Sequence, residues 1–312
     1  MTSSNKHRDI VVAALKHAAP YIRMFKRKIF VIKAGGELFT DAAATRALVE
    51  QITILHQVGV RVVVVHGAGP QSTALAHELG LTTRMVQGRR VTDAATLKVS
   101  EAANQLISKQ IMNVCADLGV QAVCLRGADN GLIKAHKRPP VEIEGEGLID
   151  FGFVGDIDGV DSSSIEQHLE NGMVPIVSPI SADKDGTLLN INADTVAAAL
   201  AGALNAEKLI LATGAAGILE DIRDPRSLVS YVDLAGLQEM RDNGSLADGM
   251  LPKAKAIEAA INGGVSRVHV ISYSLPDSLL LEVFTNEGTG TLIVKSIAAL
   301  TEAEQATGPA AA

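Results

Sequence analysis

The chain has 312 residues, enough for one large α/β domain or two lobes. Its 20% charged residues and net charge of −7 show none of the basic excess that nucleic-acid binding uses. Phosphate-bearing substrates would therefore be held by local features rather than by a global positive field. No apolar run reaches membrane-spanning length, and Lys6, Arg8 and Asp9 stand where a signal peptide would carry its apolar segment. There is no tryptophan for a base-stacking or carbohydrate platform, so a soluble, cytoplasmic protein without nucleic-acid or membrane partners is expected.

Residues 8–25 place Ile10, Val11, Ala14, Leu15, Ala18, Ile22 and Phe25 near helical spacing, interrupted by Pro20. A helix kinked at the proline is expected, serving either as a packing arm or as an oligomerisation or regulatory arm. Strands and helices then alternate. Strands are expected over 28–33, 61–66, 121–125, 175–178, 208–211 and 267–271. Helices are expected over 42–58, 70–79, 94–118, 195–204, 254–262 and 276–284. The run Val62-Val63-Val64-Val65 is apolar on both faces, as a buried parallel strand requires. This order implies an α/β fold with an open, mostly parallel sheet and helices on both faces. Residues 140–159 and 221–250 resemble hairpins or flaps, the latter around Asp224-Pro225 and Asn243-Gly244. The Ala-rich tail from Ala298 is expected to fray. Cys115 and Cys124 fall in no CxxC or Cys/His pattern, and the histidines lack metal-ligand spacing, so buried thiols and no protein-held metal are expected.

Ligands of open α/β sheets sit beyond the carboxyl ends of the strands. Two glycine turns stand there, Lys33-Ala34-Gly35-Gly36 and His66-Gly67-Ala68-Gly69-Pro70-Gln71. Small residues let the backbone approach a phosphate, Lys33 adds charge, and Pro70 suits the first turn of a helix whose amides face an anion. Neither turn has the GxxxxGK[ST] or GxGxxG spacing. Asn190-Ile191-Asn192-Ala193-Asp194 sets three polar side chains on one face of an extended segment at a helix start. Asp194 is either an N-cap or part of a site. Gly249-Met250-Leu251-Pro252-Lys253 brings a second lysine to a helix start.

With these elements in succession, the chain resembles the amino-acid kinase family and, within it, the N-acetylglutamate kinases. The resemblance runs from about residue 13 to 294. It includes Gly88-Arg89-Arg90-Val91-Thr92-Asp93, Phe153-Val154-Gly155-Asp156, Leu211-Ala212-Thr213-Gly214 and Phe284-Thr285-Asn286-Glu287-Gly288-Thr289-Gly290-Thr291. It implies a three-layer αβα sandwich: an arm over 1–27, a kinase domain over 28–295 and a flexible tail over 296–312. Within the domain, 28–185 would form the acyl-amino-acid lobe and 186–295 the nucleotide lobe. The implied reaction is phosphorylation of the γ-carboxylate of N-acetyl-L-glutamate by ATP, with Mg2+ held mainly by the nucleotide.

By motif position, the resemblance assigns catalysis to Lys33 on the transferring phosphoryl group, Lys253 on the ATP phosphates, and Asp194 orienting both. Gly67 and Ala68 would offer backbone donors, Arg90 would clamp the substrate's α-carboxylate, and Asn190 would bind its acetamido group. Gly35, Gly36, Thr213, Gly214 and Gly249 fall to the phosphates and nucleotide. The chemistry agrees: a carboxylate nucleophile with an ordinary pKa of about 4.3 is already ionised at neutral pH and needs no general base. Leu15, Pro20-Tyr21-Ile22 and Phe25 resemble the arm of hexameric, arginine-inhibited members. Homodimers or homohexamers through 8–25 and an arginine effector near Tyr21, Glu282 and Gly288 are thus implied.

The chain departs from the family's usual residues at Ala34, Ala68, Arg89, Arg126, Gly214, Asp248, Ser272-Tyr273-Ser274 and Asp277. The Gly-Ala-Gly turn and Thr213-Gly214 are similar to the kinase-like domain of N-acetylglutamate synthases. Those proteins add an acetyltransferase domain. Only a short tail follows Thr291, so synthase activity by that route is not expected. Arg126 adds charge near the acyl lobe, Gly214 and Ser272-Tyr273-Ser274 touch the nucleotide lobe, and Asp277 replaces a member of the arginine-site pattern. Retention of Lys33, Asn190, Asp194 and Lys253 points to an active enzyme. The alternatives are a kinase for N-succinylglutamate or an α-aminoadipate derivative, and a weakly active, ligand-sensing paralogue.

Overall fold

The computed structural model describes residues 3–86, 89–143, 145–221, 223–224, 226–246, 248–285 and 288–299. Gly88, Pro225, Asn286-Glu287 and the tail beyond 299 lie outside the described residues. The central sheet is built from β1 (Ile29–Ala34), β2 (Arg61–His66), β3 (Ala122–Arg126), β4 (Val174–Ser178), β5 (Lys208–Thr213), β6 (Tyr231–Asp233), β7 (Arg267–Ser272) and β8 (Thr291–Val294). Their spatial order is β6-β8-β7-β5-β1-β2-β4-β3. From β7 to β3 every neighbouring pair is parallel; β8 runs antiparallel to β7, and β6 parallels β8.

The helices are α1 (Ser3–Phe25), α2 (Ala42–Gln57), α3 (Gly69–Glu78), α4 (Ala94–Asp117), α5 (Ser163–Glu170), α6 (Ala193–Ala203), α7 (Leu234–Asp242), α8 (Leu251–Asn262) and α9 (Ser278–Phe284). Strand alternation divides the core. Val31, Val63 and Val65 face the layer of α5, α6, α7 and α8, while Phe30, Ile32, Val62 and Val64 face α2, α4 and α9. The three-layer αβα sandwich is therefore present, and the apolar run of β2 is buried on both sides.

Four differences from the sequence expectation have physical causes. First, the helix of the arm runs unbroken through Pro20. It is solvated there, so a missing backbone donor is tolerated. Second, the segment 221–250 is not a flap throughout: it supplies β6 and α7, elements too short for periodicity to reveal. The helix α5 went unread for the same reason. Third, residues 140–159 contain the expected hairpin, Val141–Ile143 with Gly147–Ile149, but they also enter a four-stranded sheet through Gly155–Val160. That sheet orders Leu188–Asn190, Ile180–Ala182, Ile133–Lys137 and Gly155–Val160, and it delivers Asn190 to the cavity described next. Fourth, α6 begins at Ala193, so Asn192 and Asp194 do not share an extended face.

Candidate active site

Lys33 sits near the carboxyl end of β1, in register with Val65 of β2 and Leu211 of β5, at the centre of the parallel sheet. The turn after β1 packs on the turn after β2. Gln71 Nε2 donates to the Gly36 carbonyl at 2.7 Å and ties the two together. A side chain at Gly36 would come 2.8 Å from Gln71 Oε1, 2.9 Å from Pro70 Cδ and 3.0 Å from the Gly69 amide nitrogen, so only glycine fits. No side chain caps the start of α3, and Pro70 occupies its first turn. Its free amide end faces the same space, a ready anion site.

Asn192, not Asp194, caps α6: its Oδ1 accepts from the Asp194 and Thr195 amides at 2.8 and 3.3 Å. This leaves the Asp194 carboxylate free for side chains. Lys33 Nζ lies 2.8 Å from Asp194 Oδ1, and Lys253 Nζ, from the first turn of α8, donates to Oδ2 at 3.0 Å. All three are buried, at 8%, 7% and 8% exposure for Lys33, Asp194 and Lys253. Burial pushes the Asp194 carboxyl upward, but the charges and hydrogen bonds of Lys33 and Lys253 outweigh it and hold the pKa at about 2. Burial lowers the Lys253 ammonium, Asp194 opposes that, and the like charge of Lys33 adds to it. Two lysines converging on one ionised carboxylate form a strongly positive, water-poor corner.

A cavity of about 660 Å³ opens from this corner. Of the site residues read from the sequence, Lys33, Gly35, Gly36, Gly67, Ala68, Arg90, Asn190 and Asp194 line it. Arg90 Nη2 donates to Thr73 Oγ1 at 2.6 Å and to the Gly69 carbonyl at 3.2 Å; its Nη1 is buried with no partner. That atom is available to a carboxylate. Sequence reasoning missed Glu37, Thr73, Asn104 and Arg138 on the wall. Glu37 and Thr73 lie just past the two glycine turns, while only the fold brings Asn104 and Arg138 near.

Thr213, Gly214 and Gly249 are not on this wall, nor is Lys253, which reaches its corner through Asp194. Thr213 ends β5 beside β1, and its hydroxyl closes a turn with Ala215. A side chain at Gly214 would come 3.2 Å from Tyr273 Oη. Tyr273 thus fills the space beside Gly214. Gly249 lies in the turn Asp248–Met250 that leads into α8. Arg126 is also off the wall, paired with Glu101 at 2.9 Å and Asp129 at 2.9 Å.

The structure brings Glu282 and Gly288 together, with Gly288 at φ 60° against the Glu282 carboxylate, and sets Tyr21 edge-on to Phe284 at 6.5 Å. Two partners were not read from the sequence. His269 Nδ1 pairs with Glu282 Oε1 at 2.6 Å, and its Nε2 lies 2.9 Å from Lys208 Nζ. An ammonium only donates, so Nε2 accepts and Nδ1–H donates to the carboxylate. Burial and the Lys208 charge lower the His269 pKa to about 4. Burial raises Glu282, but the His269 hydrogen bond and charge outweigh it and leave the pKa at about 2. Asp277 stands at the start of α9 with φ 57° and makes no capping bond.

Paired lysines at the sheet's carboxyl end, a carboxylate held between them and two glycine turns offer cations and backbone donors suited to phosphoryl groups. Residues 28–272 match the sequence model of the amino acid kinase family, and the chain belongs to that family. It is 46% identical over 291 residues to the acetylglutamate kinase of Myxococcus xanthus, covering 91% of this chain and 94% of that protein. It is 42% identical over 287 residues to the acetylglutamate kinase of Symbiobacterium thermophilum, covering 91% and 97%. The N-acetylglutamate synthase of Neisseria gonorrhoeae, solved with coenzyme A and L-arginine, superposes at a TM-score of 0.80 and 26% identity. That match covers 91% of this chain, which spans 65% of the longer synthase chain.

Proposed function

We propose that this chain transfers the γ-phosphoryl group of ATP to the γ-carboxylate of N-acetyl-L-glutamate, giving an acyl phosphate and ADP in arginine biosynthesis. The observation that carries this reading is Asp194 held between Lys33 and Lys253 beside the two glycine turns. The ionised carboxylate attacks phosphorus, the bond to the β-phosphate oxygen breaks, and no proton need be removed. The task is to spread charge. Lys33 meets the transferring group, Lys253 meets the leaving oxygen, and Asp194 holds both ammoniums apart in position. Amides of the Gly36 and Gly67-Ala68 turns receive phosphate oxygens. Arg90, already fixed by Thr73 and Gly69, clamps the α-carboxylate through its free Nη1, and Asn190 takes the acetamido group.

Among the described residues no cluster of three or more metal-ligating side chains occurs. The carboxylates on the cavity wall are Asp194, held by lysines, and Glu37. Mg2+ would therefore arrive on the ATP phosphates, with Glu37 the side chain placed to hold it, and would supply further charge neutralisation there. Thr213, Gly214 and Gly249 serve as the shelf for the rest of the nucleotide.

The apolar stripe of α1 supports an oligomeric role: Leu15 and Met24 are 65% and 62% exposed, and Ile10, Val11 and Val12 are also exposed. Such a stripe fits a second copy of the chain, in a homodimer or homohexamer. The Lys208–His269–Glu282 cluster beside Gly288 and Tyr21 supports an arginine effector site. ATP-dependent hydroxamate formation with N-acetylglutamate and hydroxylamine tests the central reading. Product is expected, and nucleotide binding without turnover on any acyl amino acid would favour a sensing paralogue.

A further inference from the structure

Arg89 and Arg90 are adjacent on a short strand, and both line the cavity, but they meet different surroundings. Arg90 is held by the first turn of α3. Arg89 makes no side-chain hydrogen bond or ion pair among the described residues. The charges it faces are Arg138, which repels it, and Asp156. Asp156 is already engaged: Arg138 Nε reaches both of its oxygens at 3.1 Å. This wall therefore presents two guanidiniums against one carboxylate. Burial and the Arg138 charge lower the Arg89 pKa, so an anion bound there would relieve a standing electrostatic cost.

The position of this wall in the cavity is set by backbone contacts. The Arg138 amide donates to the Val154 carbonyl at 2.8 Å, and Val154 bridges to Asn190. Arg89 and Arg138 thus share the cavity wall with Val154 and Asn190. If Asn190 takes the amide of the substrate, this wall meets the acyl group. A neutral, methyl-ended acetyl group gives Arg89 no counter-charge. An acyl chain that ends in a carboxylate does, and guanidinium matches carboxylate in a fork geometry.

We infer that Arg89 is a specificity-determining residue that receives the terminal carboxylate of a dicarboxylic acyl group, so that N-succinyl-L-glutamate is a substrate alongside N-acetyl-L-glutamate. The reaction at the γ-carboxylate is the same for both. The inference rests on the reading of the cavity as an acyl-amino-acid site. Arg126, by contrast, stands off this wall and has its charge met by Glu101 and Asp129.

The test is kcat/KM for both substrates with the full-length wild-type enzyme, Arg89→Leu and Arg89→Lys. The wild type is expected to use N-succinylglutamate within about tenfold of N-acetylglutamate. In Arg89→Leu the succinyl-to-acetyl ratio should fall about 10- to 100-fold, the range of one lost charged hydrogen bond. Arg89→Lys should recover part of it. The ratio is insensitive to partial misfolding, which lowers both rates together. Turnover of N-acetylglutamate alone by the wild type overturns the inference and leaves the proposed function standing. An Arg89→Leu ratio equal to that of the wild type overturns it as well, and assigns Arg89 to the α-carboxylate common to both substrates. Turnover of neither substrate removes the proposed function and this inference together.

Discussion

Asn192 accepts the Asp194 amide at 2.8 Å and so relieves Asp194 of the capping role that its position at a helix start invites. The division of labour matters because it leaves both Asp194 oxygens to the lysines, Oδ1 facing Lys33 and Oδ2 facing Lys253. Replacing Asn192 with alanine should cost about 1 kcal/mol of stability, the usual worth of an N-cap, with Asn192→Ser restoring most of it. Turnover should fall about tenfold as the first turn of α6 loosens around Asp194. Urea unfolding and steady-state kinetics on both variants check this; an Asn192→Ala enzyme with native rate and midpoint would refute the assignment.

Lys33→Ala and Lys253→Ala should each lower kcat by about 10²–10³, the range for loss of one preorganised donor to a developing charge. Asp194→Asn should lower kcat as well and also cost about 3–5 kcal/mol of stability, since it strands two ammoniums in a buried site. Near-normal turnover in any of the three would sink the role given to that residue.

Stability should decline on acidification in two stages. His66 and His269 are buried and lowered from 6.5 to about 4. Between those values the unfolded chain binds more protons than the folded one. Stability fully present above pH 6.5 is therefore lost as pH falls, by about 1.4 kcal/mol per unit for each group. Asp194 and Glu282, held at about 2, add a further loss as pH drops from their unfolded values near 4 toward 2. Urea midpoints from pH 8 to 4 should show the first decline beginning near 6.5, and His66→Gln should make it shallower. A flat profile over that span would contradict the burial of neutral histidines.

Gly36→Ala should cost about 1–3 kcal/mol, because the added carbon has nowhere to go between Gln71, Pro70 and Gly69. The same wedge parts the two glycine turns, so activity should fall more than stability alone explains. Thermal melts read beside kcat separate the two effects, and an alanine variant matching wild type in both would show that the turns are not coupled.

Removal of residues 1–25 should lower the mass seen by light scattering while leaving catalysis measurable, because Lys33, Asp194 and Lys253 lie on β1, α6 and α8, outside α1. An unchanged mass would reject the arm as an assembly element.

Much of the site was legible in the sequence because it lies in strand-end turns and helix starts, where glycine, proline and polar residues stand out from apolar runs. Lys33, Gly36, Asp194 and Lys253 were found that way. Lys208 and His269 were not. They sit inside the apolar strands β5 and β7, and nothing local marks a buried ion cluster assembled from neighbouring strands with a glutamate on α9. Arg126 stood out by sequence, but its charge is met by Glu101 and Asp129. Arg89 stood beside it as one departure among several and gained its meaning from Arg138 and Asp156.

The sequence by itself determined the alternation of elements, the parallel sheet and the two glycine turns, since hydrophobic period and turn chemistry are local properties. The tertiary structure decided which carboxylate each cation meets. It set Asn192 rather than Asp194 as the cap, closed Lys33 and Lys253 on one carboxylate, fitted Tyr273 beside Gly214, and left Arg89 facing the cavity with its neighbouring carboxylate taken. Charge pairing depends on distances of a few ångströms between residues far apart in the chain, and only the packed sheet fixes those.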